Sequence, residues 1–349
     1  MVVKSYAACV ERPTLKDVAK AAGVHPGTAS RALNPLLRGR ISAATTARVE
    51  TAARDLGYVV DPVGRSLRSR RSGIVGVLVP DLTNPFYPPV LRGIEDELRA
   101  HGLEGLIATT DNDVRREAEL IEVLKARRCD GYVLTTAVRR DPAVEALIGG
   151  AEPVVLVNRL ASVEAPSVVS DDAFGIAQAV RHLRELGHAA IAHVTGPPRF
   201  SVTVEREAAY RAALRAEGLP HRRELVVRAT DYTAAAGEVA CARLLAEQRV
   251  TAVLAGNDMI AIGCYAALEA AGLRCPDDVS VVGVNDMPLA GWLRPPLTTV
   301  AVPQHELGTQ AARLLVAHLR DGAAAVRRVD LPTRLVVRGS TGPAARDHH

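Results

Sequence analysis

From Ser72 onward the chain repeats one pattern, short apolar runs alternating with amphipathic helical stretches. The runs include GIVGVLV (73–79), YVLTT (132–136), VVLVN (154–158), AAIAHVT (189–195), TAVLAG (251–256) and VSVVGV (279–284). A strand that is apolar along its whole length is buried on both faces, which requires a parallel sheet with helices packed on either side. EAELIEVLKARR, FGIAQAVRHLRELG, EREAAYRAALRAEG and QAARLLVAHLRDG each carry one apolar stripe and supply such helices. About 270 residues are too many for one sheet of this kind, so the pattern predicts an α/β body of two lobes.

The first fifth of the chain differs in charge. Residues 1–71 carry 13 Lys/Arg against 5 Asp/Glu, whereas residues 72–349 carry 30 against 34. A basic end on an acidic body points to a polyanionic partner; a basic tail without a specific partner is the alternative. Within this end, Thr14 is followed three residues later by Asp17, as in a capping box. Leu15, Val18, Ala19 and Ala22 then fall on one helical face, and Gly23 is placed to end the helix. Pro26 suits the first position of a second helix, about Pro26 to Asn34, with Ala29, Ala32 and Leu33 facing the first. A third helix, capped by Ser42 or Thr45, presents Val49, Ala52, Ala53 and Leu56 and ends at Gly57. Two short helices about a glycine turn form a helix-turn-helix, whose second helix enters the DNA major groove. Its outward positions are Pro26, Gly27, Thr28, Ser30 and Arg31. Arg31 suits guanine or phosphate, and Thr28 and Ser30 suit phosphate; each would otherwise be a solvated surface residue.

The stretch TLKDVAKAAGVHPGTASRALN resembles the signature of the lac-repressor (LacI/GalR) family of bacterial regulators. The resemblance continues through RVETAARDLGYVVDPVGRSLRSRRSGIVGVLVPDLTNPFY to PDDVSVVGVNDMPLAGWLRPPLTTVAVPQHELG, covering nearly the whole chain after Thr14. It implies a small all-α headpiece (14–60) after an extension (1–13), a hinge (61–72), and a two-lobed body like periplasmic sugar-binding proteins (73–349). Crossovers are expected near Asp171, Val302 and Thr333, giving a first lobe of 73–171 and 302–333 and a second of 172–301 and 334–349. The headpiece would meet double-stranded, pseudo-palindromic operator DNA as a homodimer, with Thr14 and Asn34 among the contacts. In the hinge, Leu67 would wedge into a minor-groove base step beside Arg68; packing of Leu67 on its own headpiece is the alternative. Two departures stand out: His25 replaces the usual serine cap, and Asn285 replaces the usual Asp.

Open α/β sheets bind ligands at the carboxyl ends of their strands. The residues there include Asp81, Asn84, Phe86, Tyr87, Asp111, Asn158, Arg159, Asn257, Asp258, Asn285 and Asp286. Amides, carboxylates and an aromatic face suit a sugar- or nucleoside-like effector. The resemblance implies that Phe86 stacks on it, Arg206 clamps it, and Asn257 and Asn285 hydrogen-bond it. Asp81 and Asp258 are candidates with competing roles, as an Asx turn and a helix cap.

Other classes find less support. The chain has no glycine-rich nucleotide fingerprint, no G-x-S-x-G elbow and no H-E-x-x-H. His182, His188 and His193 are separated by a helix and a strand, which predicts a solvated helix face and a strand position rather than metal ligands. The five cysteines (9, 129, 241, 264 and 275) fit neither a disulfide framework nor a zinc site. No stretch approaches the ~20 apolar residues of a membrane span, and the N-terminus lacks a signal-peptide core. The expectation is a cytoplasmic regulator without cofactor or catalytic activity. A ligand-binding enzyme or an exported sugar-binding protein would leave residues 14–71 unexplained.

Overall fold

The computed structural model describes residues 13–33, 41–58, 72–150, 152–322 and 327–344. Asn34, Leu67, Arg68 and Cys9 lie outside the described residues. The chain divides into two units, 1–73 and 74–349.

The first unit holds three helices: α1 (Leu15–Ala21), α2 (Pro26–Ala32) and α3 (Ala43–Asp55). Its core is small and alanine-rich, with Val18, Ala19, Ala22, Ala29, Ala32, Val49, Ala52 and Ala53 buried together. Such side chains let helices approach closely but remove little apolar area from water. Gly23 ends α1 at φ 62°, a left-handed conformation that costs glycine nothing. Leu56, expected on the buried stripe, is instead exposed, because α3 ends at Asp55 and Leu56 is its cap.

The second unit contains two six-stranded sheets. The first lobe comprises β1 (Ile74–Val79), α4 (Tyr87–Ala100), β2 (Glu104–Thr109), α5 (Val114–Ala126), β3 (Gly131–Leu134), α6 (Pro142–Gly149), β4 (Val154–Val157) and β5 (Ser167–Ser170). The second lobe follows with α7 (Asp172–Glu185), β6 (Ile191–Thr195), α8 (Ser201–Ala216), β7 (Val226–Arg228), α9 (Ala234–Glu247), β8 (Ala252–Ala255), α10 (Asp258–Ala270), β9 (Ser280–Asn285) and β10 (Thr298–Ala301). The chain returns through α11 (Gln304–Asp321) and β11 (Arg328–Leu331) and ends its regular structure with β12 (Arg334–Val336).

The sheet orders are β11-β5-β4-β3-β1-β2 and β12-β10-β9-β8-β6-β7. Without β11 and β12, each lobe has the 2-1-3-4-5 order of a doubly wound sheet, which opens a crevice at the carboxyl ends of its strands. Three chain passages connect the sheets: at Asp171, at 302–303, and at 332–333. All neighbours are parallel except β10 and β12, which pair antiparallel as Thr299–Val336, Val300–Leu335 and Ala301–Arg334. This departs from the all-parallel expectation because only two residues separate β11 from β12, too few for the return a parallel strand needs. The central strands β1, β3, β4, β6, β8 and β9 are buried almost throughout, whereas β2 exposes half its residues at an edge. Helices α4 and α11 touch backbone to backbone at two glycines: a Cβ on Gly93 would lie 2.0 Å from the His305 carbonyl oxygen, and one on Gly308 1.9 Å from that of Val90.

The histidines correct one expectation. His182 is half-buried, not solvated, and meets Thr341 Oγ1 at 2.9 Å. His188 is buried against Thr251, Ser280 and the Gly342 carbonyl, because the C-terminal segment folds back over the sheet. His193 is buried on β6, with Nδ1 2.8 Å from the Leu254 carbonyl. Burial holds its pKa down at about 4, against an ordinary value of 6.5. The unfolded chain therefore binds a proton there that the folded chain refuses. This contribution to stability is complete above about pH 6.5 and is lost as pH falls toward 4. In urea titrations, His193→Gln is expected to remove about 3 kcal/mol of the stability lost between neutral pH and pH 4. A variant as acid-sensitive as the parent would contradict this.

Candidate functional site

Two sites emerge, one in each unit. In the first, Asp17 anchors the start of α1 by accepting from Thr14 N at 2.8 Å and Thr14 Oγ1 at 2.7 Å. These hydrogen bonds hold its carboxyl below the usual range, the backbone one contributing most. His25 caps α2: its Nδ1 accepts from Gly27 N at 3.1 Å, the part a serine hydroxyl would otherwise play. Helix α2 is thereby set with Ala29 and Ala32 inward, leaving Pro26, Gly27, Thr28 and Ser30 partly accessible and Arg31 exposed. Arg31 Nε donates to the Gly27 carbonyl at 3.1 Å, which ties the guanidinium back along the helix.

The second site is a cleft of about 310 Å³, mouth included, between the two lobes of the larger unit. Its lining comes from the segments after strand ends: Asn84, Phe86 and Tyr87 after β1, Asn158 and Arg159 after β4, Val202 and Arg206 on α8, Tyr232 after β7, Asn257 after β8, and Asn285 closing β9. Asn158 and Asn285 sit at φ 64° and 125°, and asparagine tolerates such backbone better than most residues. Their Oδ1 atoms and Arg159 Nε are buried without a protein hydrogen-bond partner, unlike nearly all buried polar atoms. Two acceptors and a charged donor are thus free for a ligand between aromatic walls.

Arg206 is held from behind. Its Nε meets Asp172 Oδ2 at 2.7 Å, and Nη1 donates to the Gly256 carbonyl at 2.7 Å, with both side chains of the pair buried. Arg159, from the first lobe, lies over the ring of Phe200 in the second, 3.8 Å from its centroid. Other bridges between lobes are Leu160 N to Ser201 Oγ at 2.8 Å, Arg139 N to the Arg199 carbonyl at 2.9 Å, and Asn112 to Asp231 at 3.5 Å.

The cleft brings together Phe86, Arg206, Asn257 and Asn285 from the sequence candidates, but not Asp81 or Asp258. Asp81 accepts from Thr83 N at 2.7 Å, forming an Asx turn outside the lining. The cap of α10 is Asn257, which accepts from Ile260 N at 2.8 Å, rather than Asp258. Asp258 instead ties loop to strand, accepting from Met287 N at 2.8 Å and Thr299 Oγ1 at 2.5 Å. Burial pushes its carboxyl up to about 7 against the pull of those bonds. Sequence reading named Asn84, Tyr87, Asn158 and Arg159 only as strand-end residues, and missed Asp172, Val202 and Tyr232 altogether. Tyr232 follows a three-residue edge strand too short to show a period, and Asp172 adjoins the expected crossover without any motif to mark it. Among the described residues, no group of three or more His, Cys, Asp or Glu is placed to hold a metal ion, and no helix is long and apolar enough to cross a membrane.

Residues 14–61 match the family described as bacterial regulatory proteins, lacI family, and residues 180–341 match the periplasmic binding protein-like domain. The ribose operon repressor of Halalkalibacterium halodurans is 33% identical over 328 residues, which is 94% of this chain and 97% of that protein. The HTH-type transcriptional repressor CytR of Escherichia coli strain K12 is 34% identical over 332 residues, 94% of this chain and 96% of that one. Among solved structures, the lac repressor dimer bound to operator and the anti-inducer ONPF has a TM-score of 0.82 at 26% identity, covering 95% of this chain and 100% of that one. The transcriptional regulator CelR–cellobiose complex has a TM-score of 0.73 at 34% identity, covering 94% and 100%.

The Asp172–Arg206 pair yields a stability test. Asp172→Ala leaves a buried guanidinium without its counter-charge and is expected to cost about 3–5 kcal/mol in denaturant unfolding of the body. Asp172→Leu combined with Arg206→Met removes both charges and should recover most of that loss. A single variant as stable as the parent would contradict the pairing.

Proposed function

The chain belongs to the lacI family of bacterial regulatory proteins, and from that premise we propose how it acts. It is a sequence-specific DNA-binding transcriptional regulator whose headpiece (14–60) reads DNA and whose body (73–349) binds an effector. Two subunits occupy adjacent half-sites of a pseudo-palindromic operator, with the hinges (61–72) between them. In each headpiece α2 lies in the major groove. Arg31 takes a guanine edge or a phosphate, Thr28 and Ser30 take phosphate, and Pro26 and Gly27 offer shape and apolar contact. Thr14 and Asn34 add backbone contacts, and Leu67 with Arg68 enters the minor groove.

The observation that carries this reading is the orientation of α2. Its alanine face is buried in the headpiece core while the face holding Arg31 is accessible.

The effector occupies the cleft. Phe86 supplies a stacking face, and Arg206, Asn257 and Asn285 bind its polar groups. Relatives named for a ribose operon, and a neighbour complexed with cellobiose, support a polyhydroxylated ligand. Occupancy shifts the equilibrium between lobe arrangements, and each arrangement holds the paired headpieces differently. The protein works in the cytoplasm as a repressor without catalytic activity, a reading that the names of its relatives support.

The test is operator affinity at fixed salt, on a duplex selected from random sequence by the protein itself. Arg31→Ala and Leu67→Ala are each expected to weaken specific binding by about 1–3 kcal/mol, with a smaller effect on non-specific DNA. Unchanged affinity in both variants would remove the headpiece from the function.

A further inference from the structure

The cleft has an unbalanced charge. Its lining contains two arginines and no carboxylate. Arg206 is neutralised from behind by Asp172, 2.7 Å away. Arg159 has no such partner among the described residues. It is 3% exposed, one of its donors reaches Asn112 Oδ1 at 2.7 Å, and its buried Nε–H meets nothing.

The nearby acids lie close enough to be felt but make no ion pair with Arg159 among the described residues. Glu117 is held above the usual carboxylate range by burial and by the neighbouring Asp141. Asp141 caps α6, accepting from Val144 N at 3.2 Å and from Val138 N in the preceding loop at 3.3 Å. Asp231 is reached only through Asn112, which stands 3.5 Å from it. The face of Phe200 eases the burial of the guanidinium but carries no net charge. A buried cation left in this state calls for an anion.

The other polar groups set what surrounds that anion. Asn158 Oδ1 and Asn285 Oδ1 are free acceptors, suited to hydroxyl donors. Asn285 thus offers an acceptor without the charge by which a carboxylate would repel an anion. A phosphate ester would bring between −1.5 and −2 charges, more than one guanidinium balances, whereas a carboxylate brings one. A carboxylate also matches the planar guanidinium fork.

We infer that the effector is a polyhydroxylated monocarboxylate, a sugar acid, whose carboxylate binds Arg159 and whose hydroxyls donate to Asn158 and Asn285. The inference rests on the reading of this cleft as the effector site, and it replaces a neutral sugar or nucleoside with an anion.

Calorimetric titration of the full-length protein tests it. The panel is D-ribonate, D-gluconate, D-glucuronate and D-galacturonate, against D-ribose, D-glucose, D-galactose, cytidine, and the 5- and 6-phosphates of ribose and glucose. The expected result is that an acid binds most tightly. Arg159→Met should abolish that binding, and Asn285→Asp, which keeps the size of the side chain, should weaken it at least ~10-fold. The inference is overturned if a neutral sugar, cytidine or a phosphate ester binds most tightly, if no acid binds at millimolar concentration, or if Asn285→Asp binds the acid as well as the parent. Operator binding by the same samples separates the two readings. A protein that holds operator and takes a neutral sugar contradicts the anion alone. One that takes an acid but holds no operator contradicts the regulator reading alone.

Discussion

Three passages of the chain between two sheets are the constraint on which the larger unit depends. Each lobe has its own doubly wound strand order, and one buried cluster runs through both, from Val75 and Val133 in the first to Leu254 and Val282 in the second. The passages at Asp171, 302–303 and 332–333 bring the carboxyl ends of the two sheets to face each other. Every residue lining the cleft follows from that placement, since each lies at a strand end or on the segment after one. The same connections limit how the lobes can move, because three neighbouring linkers permit closure and twist more readily than separation. A ligand held by both walls can therefore bias a small set of lobe arrangements.

Electrostatics divides the cleft's two arginines. Arg206 forms a closed ion pair with Asp172 within one lobe, and such a pair fixes a side chain without asking for a ligand. Arg159 reaches from the first lobe over Phe200 of the second and ends with an unused donor. Contacts such as Leu160 to Ser201 and Arg139 to Arg199 already hold the lobes near each other. The charge still to be satisfied lies at that junction, where an incoming group would act on the relation between the lobes.

The central strands and the three headpiece helices were legible in the sequence because both follow a period. Fully apolar runs marked β1, β3, β4, β6, β8 and β9, and the stripe of Leu15, Val18, Ala19 and Ala22 marked α1. Edge strands lacked that signal: β7 and β12 are three residues each, and β2 is half exposed. The site was legible only as a set of strand ends. Periodicity cannot say which polar side chain at such an end turns into the cleft and which braces its own loop. Asp81 and Asp258 went to local bonds with Thr83, Met287 and Thr299, while Asn257 serves both the cap of α10 and the cleft. Arg159 stood beside Asn158 in the sequence, but its lack of a counter-charge is a property of three-dimensional neighbours alone.

Regulation of this kind requires one coupling, between occupancy of the cleft and the grip of the headpieces on DNA. Fluorescence anisotropy of a labelled operator duplex measures it directly, at fixed salt, with the cleft empty and then saturated, and with occupancy verified by calorimetry. A coupling of 1–3 kcal/mol, roughly a 5- to 150-fold change in operator affinity in either direction, is the predicted result. An operator affinity that stays the same while the cleft is demonstrably full would contradict the account.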